Sequence, residues 1–362
     1  GDVYKRQEQI AGHQQNKEFL ARFLLREERP HALLFYGPEG IGKCLLAKEF
    51  ARAFLCQGPA EQKRPCDRCE SCRLLNFTAG NLAHPDYLYL DPATDEAQEK
   101  KKLKIISVSQ IRGLLSQAAF GPTLSAHKIC LINEADTMNA ESANSLLKLL
   151  EEPPENWFFI LIVTSVSQLL PTILSRVIQV RFTPLTEAEA RQVLAAKGCS
   201  AAEAELLAAL ADGSPGRGLR FKEAGVVNLR NRALEFMEAL PLPAPMTYLT
   251  GEEYFADVIP VTDSNESLQY FLSMLTALLR DLLFIRTGLR QHLFNRDMAD
   301  RLAAIAGRWE PEGLQRSVAF AQEAAAAAAR RANTKSILDD ITFTINGYCG
   351  GGYNAKNRRH SF

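Results

Sequence analysis

A glycine-rich segment, Gly37-Pro38-Glu39-Gly40-Ile41-Gly42-Lys43-Cys44, constrains the fold of this chain more than any other stretch. It follows an apolar run at 32–36 and precedes a predicted helix at 45–55. Strand, glycine-rich loop and helix in this order are the context that a phosphate-binding loop requires. Glycines let backbone N–H groups face a phosphate, the helix N-terminus contributes positive potential, and Lys43 adds a full charge. The segment therefore predicts a phosphate-loop α/β core, with Gly37, Gly40, Gly42, Lys43 and Cys44 as nucleotide-contacting residues.

One position of this loop departs from the usual pattern. The residue after the lysine is expected to be Ser or Thr, whose hydroxyl ligates Mg²⁺, and here it is Cys44. A thiol is a poor magnesium ligand because Mg²⁺ prefers hard oxygen donors. Productive binding of ATP or ADP with Mg²⁺ is therefore in doubt. The alternative interpretation is a turn between strand and helix that merely needs glycine.

A second apolar strand, predicted at 129–132, runs into Asn133-Glu134-Ala135-Asp136. In phosphoryl-transfer folds such a strand end presents a magnesium-binding acid and a general base. Asn133 stands where the metal-binding Asp is expected, and a neutral amide is a weaker ligand. Glu134 keeps the position of the base, and its alternative interpretation is a solvated strand end. Thr164 or Ser165, at the end of a further strand predicted at 157–164, could sense a γ-phosphate.

Four of the eight cysteines are clustered, with the spacing Cys56-x9-Cys66-x2-Cys69-x2-Cys72. Four thiolates with two short CxxC steps are typical of a tetrahedral zinc site, and a hairpin of this kind has too little apolar surface to fold alone. Because four cysteines close the coordination shell, the zinc is expected to be structural. Reduced thiols after metal loss, or a disulfide pair, remain the alternatives. His84 is either a substitute ligand or the residue that enters the next strand.

The bulk composition excludes several classes of function. Lysine plus arginine and aspartate plus glutamate both number 42 in 362 residues, so no net charge favours nucleic acid or membrane, and DNA contact needs a local patch. No uninterrupted apolar run approaches the roughly 18 residues of a membrane span. No export signal is visible, which favours metal over disulfides for the cysteines. We expect residues 1–7 to be a cloning scar or an assembly artefact.

The order of predicted elements divides the chain. Up to 183, strands alternate with helices, which predicts a parallel sheet covered on both faces. Beyond Pro184 the segments are helical, including a capping-box signature at Thr186-Glu187-Ala188-Glu189 and long helices at 268–287 and 312–333. We therefore predict a core at 8–183 with the zinc module at 56–72, a small helical unit at 184–240, a second helical domain at 241–346 and a flexible tail at 347–362.

Taken together, these motifs resemble the delta′ subunit family of the bacterial DNA polymerase III clamp loader, within the AAA+ superfamily. The resemblance covers about residues 8–345. Besides the phosphate loop and the cysteine insert, it rests on three motifs: His84-Pro85-Asp86, Leu146-Leu147-Lys148-Leu149-Leu150-Glu151-Glu152-Pro153-Pro154 and Leu174-Ser175-Arg176. The tau/gamma ATPase family of the same assembly is similar, but would be expected to carry Ser or Thr at 44 and an acid at 133. The serine-arginine motif normally continues with Cys, and here the next residue is Val177.

The resemblance implies an AAA+ core, a helical lid and a helical collar that joins subunits into a hetero-oligomer. It implies a stator role beside delta and tau/gamma subunits, in a bacterial cytoplasmic assembly that opens the beta sliding clamp and places it on primed DNA. Contact with DNA would be with phosphates and not sequence-specific. The basic run Lys100, Lys101, Lys102 and Lys104 is a weak candidate for it, since solvated charge runs are common.

Two arginines carry the remaining hypotheses. The resemblance implies that Arg176 acts in trans as an arginine finger, stabilising charge on a γ-phosphate held by a neighbouring subunit. Its alternative is a surface arginine that pairs with a local acid. Arg217, after Gly213-Ser214-Pro215-Gly216, could reach the nucleotide pocket of its own chain, and its alternative is a helix N-terminal arginine with no ligand.

Two classes of function remain. The first is an assembly subunit that supplies an arginine and hydrolyses little ATP itself. The second is an active phosphate-loop ATPase, either a tau/gamma-type motor or a related repair ATPase. Cys44 and Asn133 separate the two, because both substitutions remove magnesium ligands.

Overall fold

The structure is a computed structural model, and it describes residues 10–26, 28–59, 64–77, 80–92, 105–242, 255, 265–330 and 332–349. The predicted scar at 1–7 and the basic run from Lys100 to Lys104 lie outside the described residues. The chain divides into two compact units, the first comprising 1–208 with 212–217 and the second 209–211 with 218–362.

A five-stranded parallel sheet forms the centre of the first unit, in the order β4-β5-β6-β1-β7, and a small hairpin, β2-β3, lies outside it. All seven residues of the third strand in this order are buried, as is usual for parallel strands covered on both faces. This architecture confirms the predicted α/β core. The strands are β1 Ala32–Tyr36, β2 Leu75–Asn76, β3 Asn81–Leu82, β4 Tyr87–Leu90, β5 Lys128–Ile132, β6 Trp157–Val163 and β7 Ile178–Arg181.

Helices cover both faces of the sheet and give it two apolar cores. On one face Phe23, Phe50 and Phe158 pack with ring centroids 5.5–6.0 Å apart. On the other face Leu146 and Ile173 pack against the buried side chains of β5 and β6. The helices are α1 Gln14–Leu24, α2 Lys43–Phe54, α3 Glu70–Leu74, α4 Val108–Gln117, α5 Ala140–Glu151, α6 Pro171–Leu174, α7 Glu187–Ala196 and α8 Ala201–Leu210.

Local capping residues fix where several of these helices begin. Ser107 Oγ accepts a hydrogen bond from Gln110 N, and Gln110 Oε1 accepts one from Ser107 N, which completes a capping box at the start of α4. The predicted capping box of Thr186 and Glu189 is also confirmed. Helix α5 ends before Pro153-Pro154. This is expected because a proline disfavours helical backbone at the residue that precedes it.

The second unit is helical. At its centre, Asp281 of a 22-residue helix accepts hydrogen bonds from the backbone of Phe294 and Asn295, both at 2.8 Å. Arg230 binds both carboxylate oxygens of Asp297, at 3.0 and 2.7 Å. The remaining helices are α9 Pro215–Glu223, which begins in the first unit, α10 Val226–Ala239, α11 Asn265–Arg286, α12 Ala299–Ala306, α13 Pro311–Ala329 and α14 Thr334–Tyr348.

By length and composition alone, Glu266–Arg286 within α11 could cross a membrane. However, one face of this helix is buried, with Phe271 and Leu275 fully covered, and Asp281 at 0% exposure is hydrogen-bonded. That pattern is the one expected of a core helix in a helical bundle.

Helix boundaries in the second half differ from the sequence predictions. The long stretch predicted at 312–333 ends at Ala329, and a separate helix, α14, begins after its cap Asn333. Helix α10 was not predicted individually. Helix α14 runs to Tyr348 and Cys349 is buried, so the first residues of the predicted tail at 347–362 are helical. The three-part division into core, lid and collar stays a prediction.

Candidate functional site

The phosphate loop lies at the carboxyl end of β1, between that strand and α2. Gly40 and Gly42 have φ values of 74° and 103°, in the left-handed region that favours glycine. A Cβ atom at Gly40 would lie 2.6 Å from Ser214 Oγ, and one at Gly37 would lie 2.3 Å from the carbonyl oxygen of Phe182. The loop therefore needs glycine for its backbone conformation and for its close packing.

Lys43 is buried at the first position of α2. Its Nζ donates to the carbonyl oxygens of Gly37 at 2.6 Å and Pro38 at 2.7 Å. Burial lowers the pKa of this amine, and the charges of Asp136 and Glu39 oppose that effect. The lysine charge is therefore held inside the curve of the loop, where a phosphate-binding lysine belongs.

The Cys44 thiol sits among groups from the neighbouring strand end. Burial raises its pKa, although Lys48 and a hydrogen bond with Tyr89 oppose that effect. Tyr89 is also hydrogen-bonded to Asp91, and Lys48 Nζ lies 4.8 Å from the centre of the Tyr89 ring. A thiol with a raised pKa stays protonated at neutral pH, so Cys44 offers no anionic ligand to a magnesium ion.

The ends of β5 and β6 bring Asn133, Glu134 and Thr164 to the same edge of the sheet as the loop, since β5, β6 and β1 are adjacent. Glu134 is exposed and has a left-handed φ of 53°. Asp136 was not predicted as a site residue. Its Oδ2 accepts from Thr164 N at 2.9 Å and lies 2.6 Å from Thr164 Oγ1.

Asp136 is therefore a polar contact of the predicted γ-phosphate sensor, and it also acts electrostatically on Lys43. The signal for it in the sequence was an acid two residues beyond Glu134. Sequence reasoning also missed Tyr89 and Asp91, because neither residue lies within a phosphate-loop motif.

The start of α9 packs directly on the phosphate loop. Ser214 Oγ donates to the Glu39 carbonyl at 2.7 Å, and Gly216 N donates to the Gly40 carbonyl at 2.9 Å. Arg217 N donates to Ser214 Oγ, and the residue is exposed. The structure thus brings Arg217 beside the loop, as the nucleotide-contact hypothesis requires.

Arg176 follows α6 at the surface, and its side chain is 34% exposed. Its Nη2 lies 2.9 Å from Glu151 Oε1, and its Nη1 donates to the Thr172 carbonyl at 2.9 Å. In the part of the chain that the structure describes, no hydrogen bond or ion pair joins Arg176 to the phosphate loop of its own chain. The arginine thus makes the local acid pair that was its alternative interpretation, and it also keeps a solvent-facing surface.

The four cysteine sulfurs converge within 4.8 Å of one another. Cys56 and Cys69 Sγ are 4.0 Å apart, as are Cys66 and Cys72 Sγ, close to the ~3.8 Å between ligands of a tetrahedral zinc with Zn–S bonds of about 2.3 Å. Backbone N–H groups point at three of the sulfurs, including Gly58 N at 3.3 Å from Cys56 Sγ. These residues fit a zinc ion and leave no open coordination position.

His84 supports this module from outside the cluster. Its Nδ1 accepts from Asp86 N at 3.0 Å, so Nε2 carries the proton and faces Ser71 Oγ at 2.8 Å. Asp86 in turn accepts three backbone N–H bonds, from Thr123, Leu124 and Ser125, at 2.6–2.7 Å. The His84-Pro85-Asp86 motif therefore orders backbone around the module.

A buried arginine attaches the same module to α2. Arg52 is 2% exposed, and its Nε donates to the Leu75 carbonyl at 2.7 Å. Its Nη2 binds Asp67 at 2.7 Å and its Nη1 lies 3.2 Å from Glu49. Sequence reasoning missed Arg52, because a helical arginine gives no sign of burial.

The phosphate loop, the polar ends of β5 and β6 and the contact of α9 with the loop define a phosphate-loop α/β core. Two family models match the chain, "DNA polymerase III, delta subunit" over residues 12–186 and "DNA polymerase III, delta subunit, C terminal" over residues 246–331. The chain belongs to the DNA polymerase III delta′ family. The predicted resemblance is thereby confirmed.

Individual relatives agree with this assignment. Subunit delta′ of Pseudomonas aeruginosa DNA polymerase III is 39% identical over 218 residues, which cover 59% of this chain and 62% of that protein. Subunit delta′ of Bacillus subtilis is 27% identical over 88% of this chain and 92% of its own length. Subunit tau of B. subtilis is 32% identical over 50% of this chain and 30% of its length. The chain thus spans less than two thirds of the Pseudomonas protein it matches.

Solved structures resemble the chain more distantly. A gamma subunit-related protein from Thermotoga maritima covers 91% of this chain and 98% of its own, with 19% identity and a TM-score of 0.49. The T. maritima RuvB Holliday junction branch migration motor covers 84% of this chain and 89% of its own, with 15% identity and a TM-score of 0.41. Both scores are below 0.5, so the family assignment rests on sequence.

Proposed function

We propose that this protein is a delta′-type stator subunit of a cytoplasmic DNA polymerase III clamp loader. In this role it assembles with tau/gamma and delta subunits and helps to place the beta sliding clamp on primed DNA. Its relatives are named as subunits of that polymerase, which supports the assignment. The observation that carries the proposal is a phosphate loop with intact backbone geometry in which a thiol, Cys44, stands at the position of the magnesium-binding hydroxyl, while a neutral amide, Asn133, stands at the position of the strand-end acid.

The second part of the proposal is that the chain hydrolyses little ATP by itself. Magnesium neutralises developing charge between the β- and γ-phosphates, and the loop hydroxyl and the strand-end acid hold the ion in place. Cys44 carries a protonated thiol and Asn133 a neutral amide, so neither supplies a hard anionic ligand. Glu134, Thr164 and Arg217 could contact a nucleotide that binds weakly without adding to turnover.

The third part is that Arg176 serves a neighbouring subunit in trans. An exposed ion pair such as the one with Glu151 stabilises a protein by only about 0–1 kcal/mol, so exchanging it for a phosphate costs little. A planar guanidinium binds phosphate oxygens in bidentate fashion, which suits Arg176 to this role.

The fourth part is that Cys56, Cys66, Cys69 and Cys72 hold a structural zinc ion. When bound, zinc supplies cross-linking of the insert and no catalysis, because the four thiolates occupy every tetrahedral position. The chain's own contribution is to orient the sulfurs through the backbone N–H groups that point at them.

The test of the third part is the Arg176→Ala variant, reconstituted with tau/gamma, delta and the beta clamp. An arginine finger accelerates hydrolysis at a single site by roughly 10³–10⁵-fold. The DNA-stimulated ATPase rate of the assembly should therefore lose the part that the neighbouring subunit's site contributes. Arg112→Ala is the matched control, since Arg112 also pairs with a surface glutamate, Glu141, at 3.2 Å. An unchanged rate in an intact Arg176→Ala assembly would remove the finger from the proposal.

A second candidate function, an active ATPase of the tau/gamma or repair type, is favoured by one observation. Asp136 and Glu134 place two carboxylates at the strand end, and Asp136 interacts with Lys43. Turnover of Mg-ATP by the isolated chain at an ordinary enzyme rate of order one per second would favour this candidate. Turnover far below that rate would favour the stator.

A further inference from the structure

A groove of about 380 Å³ lies at the opposite edge of the core sheet from the phosphate loop. Its walls come from segments that precede β1, β5 and β6, together with the end of α2. Its volume is within the roughly 300–1,000 Å³ that is usual for ligand sites. We call it the amino-edge groove, and its principal lining residues are Arg29, His31, Phe54, His127, Pro154 and Trp157.

The groove combines an aromatic floor with positive charge. The Phe54 ring packs on the His127 ring at 5.1 Å, and the Arg29 guanidinium lies 5.6 Å from the Phe54 ring centre. Burial and the nearby Arg64 charge lower the pKa of Arg29, while burial and Arg29 lower the pKa of His127. Among the described residues no carboxylate opposes these effects, so the charge of Arg29 has no neutralising acid in that part of the chain. Glu155, the one acid among the lining residues, is exposed.

The groove also contains polar nitrogens that have no hydrogen-bond partner among the described residues. Arg29 donates from Nε to the Arg26 carbonyl at 2.7 Å and from Nη2 to the Leu24 carbonyl at 2.9 Å, which leaves Nη1 without a partner among the described residues. Trp157 Nε1 and His31 Nε2 are buried and unpaired in the part of the chain that the structure describes. The indole nitrogen can only donate, and a buried donor that is left unpaired is destabilising.

We propose that the amino-edge groove binds an acidic peptide segment of a partner protein, with a carboxylate on Arg29 and a neighbouring apolar side chain on Phe54. The carboxylate supplies both the missing negative charge and the missing acceptors. Local movement accompanies binding, because Trp157 Nε1 and His31 Nε2 are covered by their neighbours.

A nucleic-acid backbone fits the same groove less well. Phosphate-tracking surfaces place several cations along a strand, whereas Arg29 is the only permanently charged cation among the lining residues of the described chain. Three of the lining residues, Pro30, Pro153 and Pro154, are apolar and have no N–H group to donate to a phosphate. A short acidic and apolar peptide matches that composition.

The test uses the full chain carrying ¹³C-labelled histidine, with the His127 signal assigned from His127→Gln. The probes are three blocked pentapeptides that contain Glu beside Phe, Gln beside Phe, or Glu beside Ser, and a fourth that contains Gln beside Phe with a free terminal carboxylate. An oligothymidine of similar charge is the fifth probe. The Glu-Phe peptide should shift the His127 signal and raise its pKa, because a bound carboxylate favours the imidazolium. Binding of the free-carboxylate peptide alone would assign the site to a chain terminus and would still support a carboxylate site.

Two variants make the outcome specific. In Arg29→Gln the half-saturating concentration of the Glu-Phe peptide should rise about tenfold, whereas Arg191→Gln, an exposed arginine on α7, should leave it unchanged. Equal shifts with the Gln-Phe and Glu-Phe peptides would overturn the proposal. So would the absence of any shift at millimolar peptide, or a response to oligothymidine alone.

Discussion

The cysteine cluster and the phosphate loop are both candidate sites for a charged ligand, yet their sets of ligand residues are complete to different degrees. Around the cluster, four thiols converge, backbone N–H groups point at the sulfurs, and Arg52 fixes the module to α2. In the loop, the backbone and Lys43 have the geometry of a phosphate site, while Cys44 offers magnesium no oxygen and Asn133 offers only a neutral amide oxygen.

The difference shows which features keep each site folded. A small zinc module depends on its metal for folding. Removal of one ligand therefore weakens metal binding and lowers the free energy of unfolding. The phosphate loop is held by glycine geometry, by the α9 contact through Ser214 and by the internal bonds of Lys43, none of which needs a metal. The fold of the loop therefore does not depend on a magnesium ion, whereas the fold of the cysteine module is expected to depend on zinc.

The largest effect is expected from the cluster. In Cys72→Ala, zinc content should fall well below one ion per chain, and the free energy of unfolding should fall by several kcal/mol, on the order of 3–5. Cys199→Ala is the matched control, because Cys199 is also buried but lies outside the cluster. Metal analysis and urea unfolding measure both quantities. Full zinc content and unchanged stability in Cys72→Ala would contradict a structural zinc site.

The second expected effect is a pH dependence of protein stability at His84, which contacts the cysteine module. Burial lowers the pKa of His84 from 6.5, so the unfolded chain binds the proton more readily than the native chain. The contribution of His84 to the free energy of unfolding is therefore fully present above pH 6.5 and is lost as the pH falls below that value. Below 6.5, wild-type unfolding free energy should decline up to about 1.4 kcal/mol per pH unit more steeply than that of His84→Gln. Urea unfolding in zinc-containing buffer measures this, and equal slopes would contradict it.

These residues also show what could be predicted from the sequence. Cysteine spacing, glycine spacing and alternating apolar runs are local, and they predicted the cluster, the loop and the parallel sheet. Asp136, Arg52 and the Asp91–Tyr89–Cys44 contacts depend on which segments meet after folding, so no local pattern indicated them. The end of helix α13 at Ala329 was missed because the residues that follow it also favour helix. The only local sign of a new helix is its cap, Asn333, and one asparagine is a weak signal.

The third prediction restores the loop. Cys44→Thr with Asn133→Asp supplies a hydroxyl and a carboxylate to a pocket that keeps Lys43, so Mg-ATP should bind about tenfold more tightly, near 1.4 kcal/mol. Cys44→Val with Asn133→Asp is the control, because Val matches Thr in shape but has no oxygen. Calorimetric titration with and without Mg²⁺ measures the change. If both double variants bind alike, the missing hydroxyl at position 44 does not limit the binding of Mg-ATP.

The smallest effect is expected at the pair between Arg176 and Glu151. Glu151→Gln removes the charge that holds Arg176 Nη2 at 2.9 Å, while the Thr172 carbonyl bond keeps the side chain near its place. Because exposed pairs contribute about 0–1 kcal/mol, stability should hardly change, and loader ATPase should stay level or rise by less than about fivefold as the guanidinium is freed. Glu152→Gln, the adjacent exposed acid, is the control. A fall in ATPase as large as that of Arg176→Ala would instead mean that Glu151 positions the arginine for its neighbour. Parallel assays of the three variants therefore decide whether the acid competes with the phosphate for Arg176 or aims the side chain toward it.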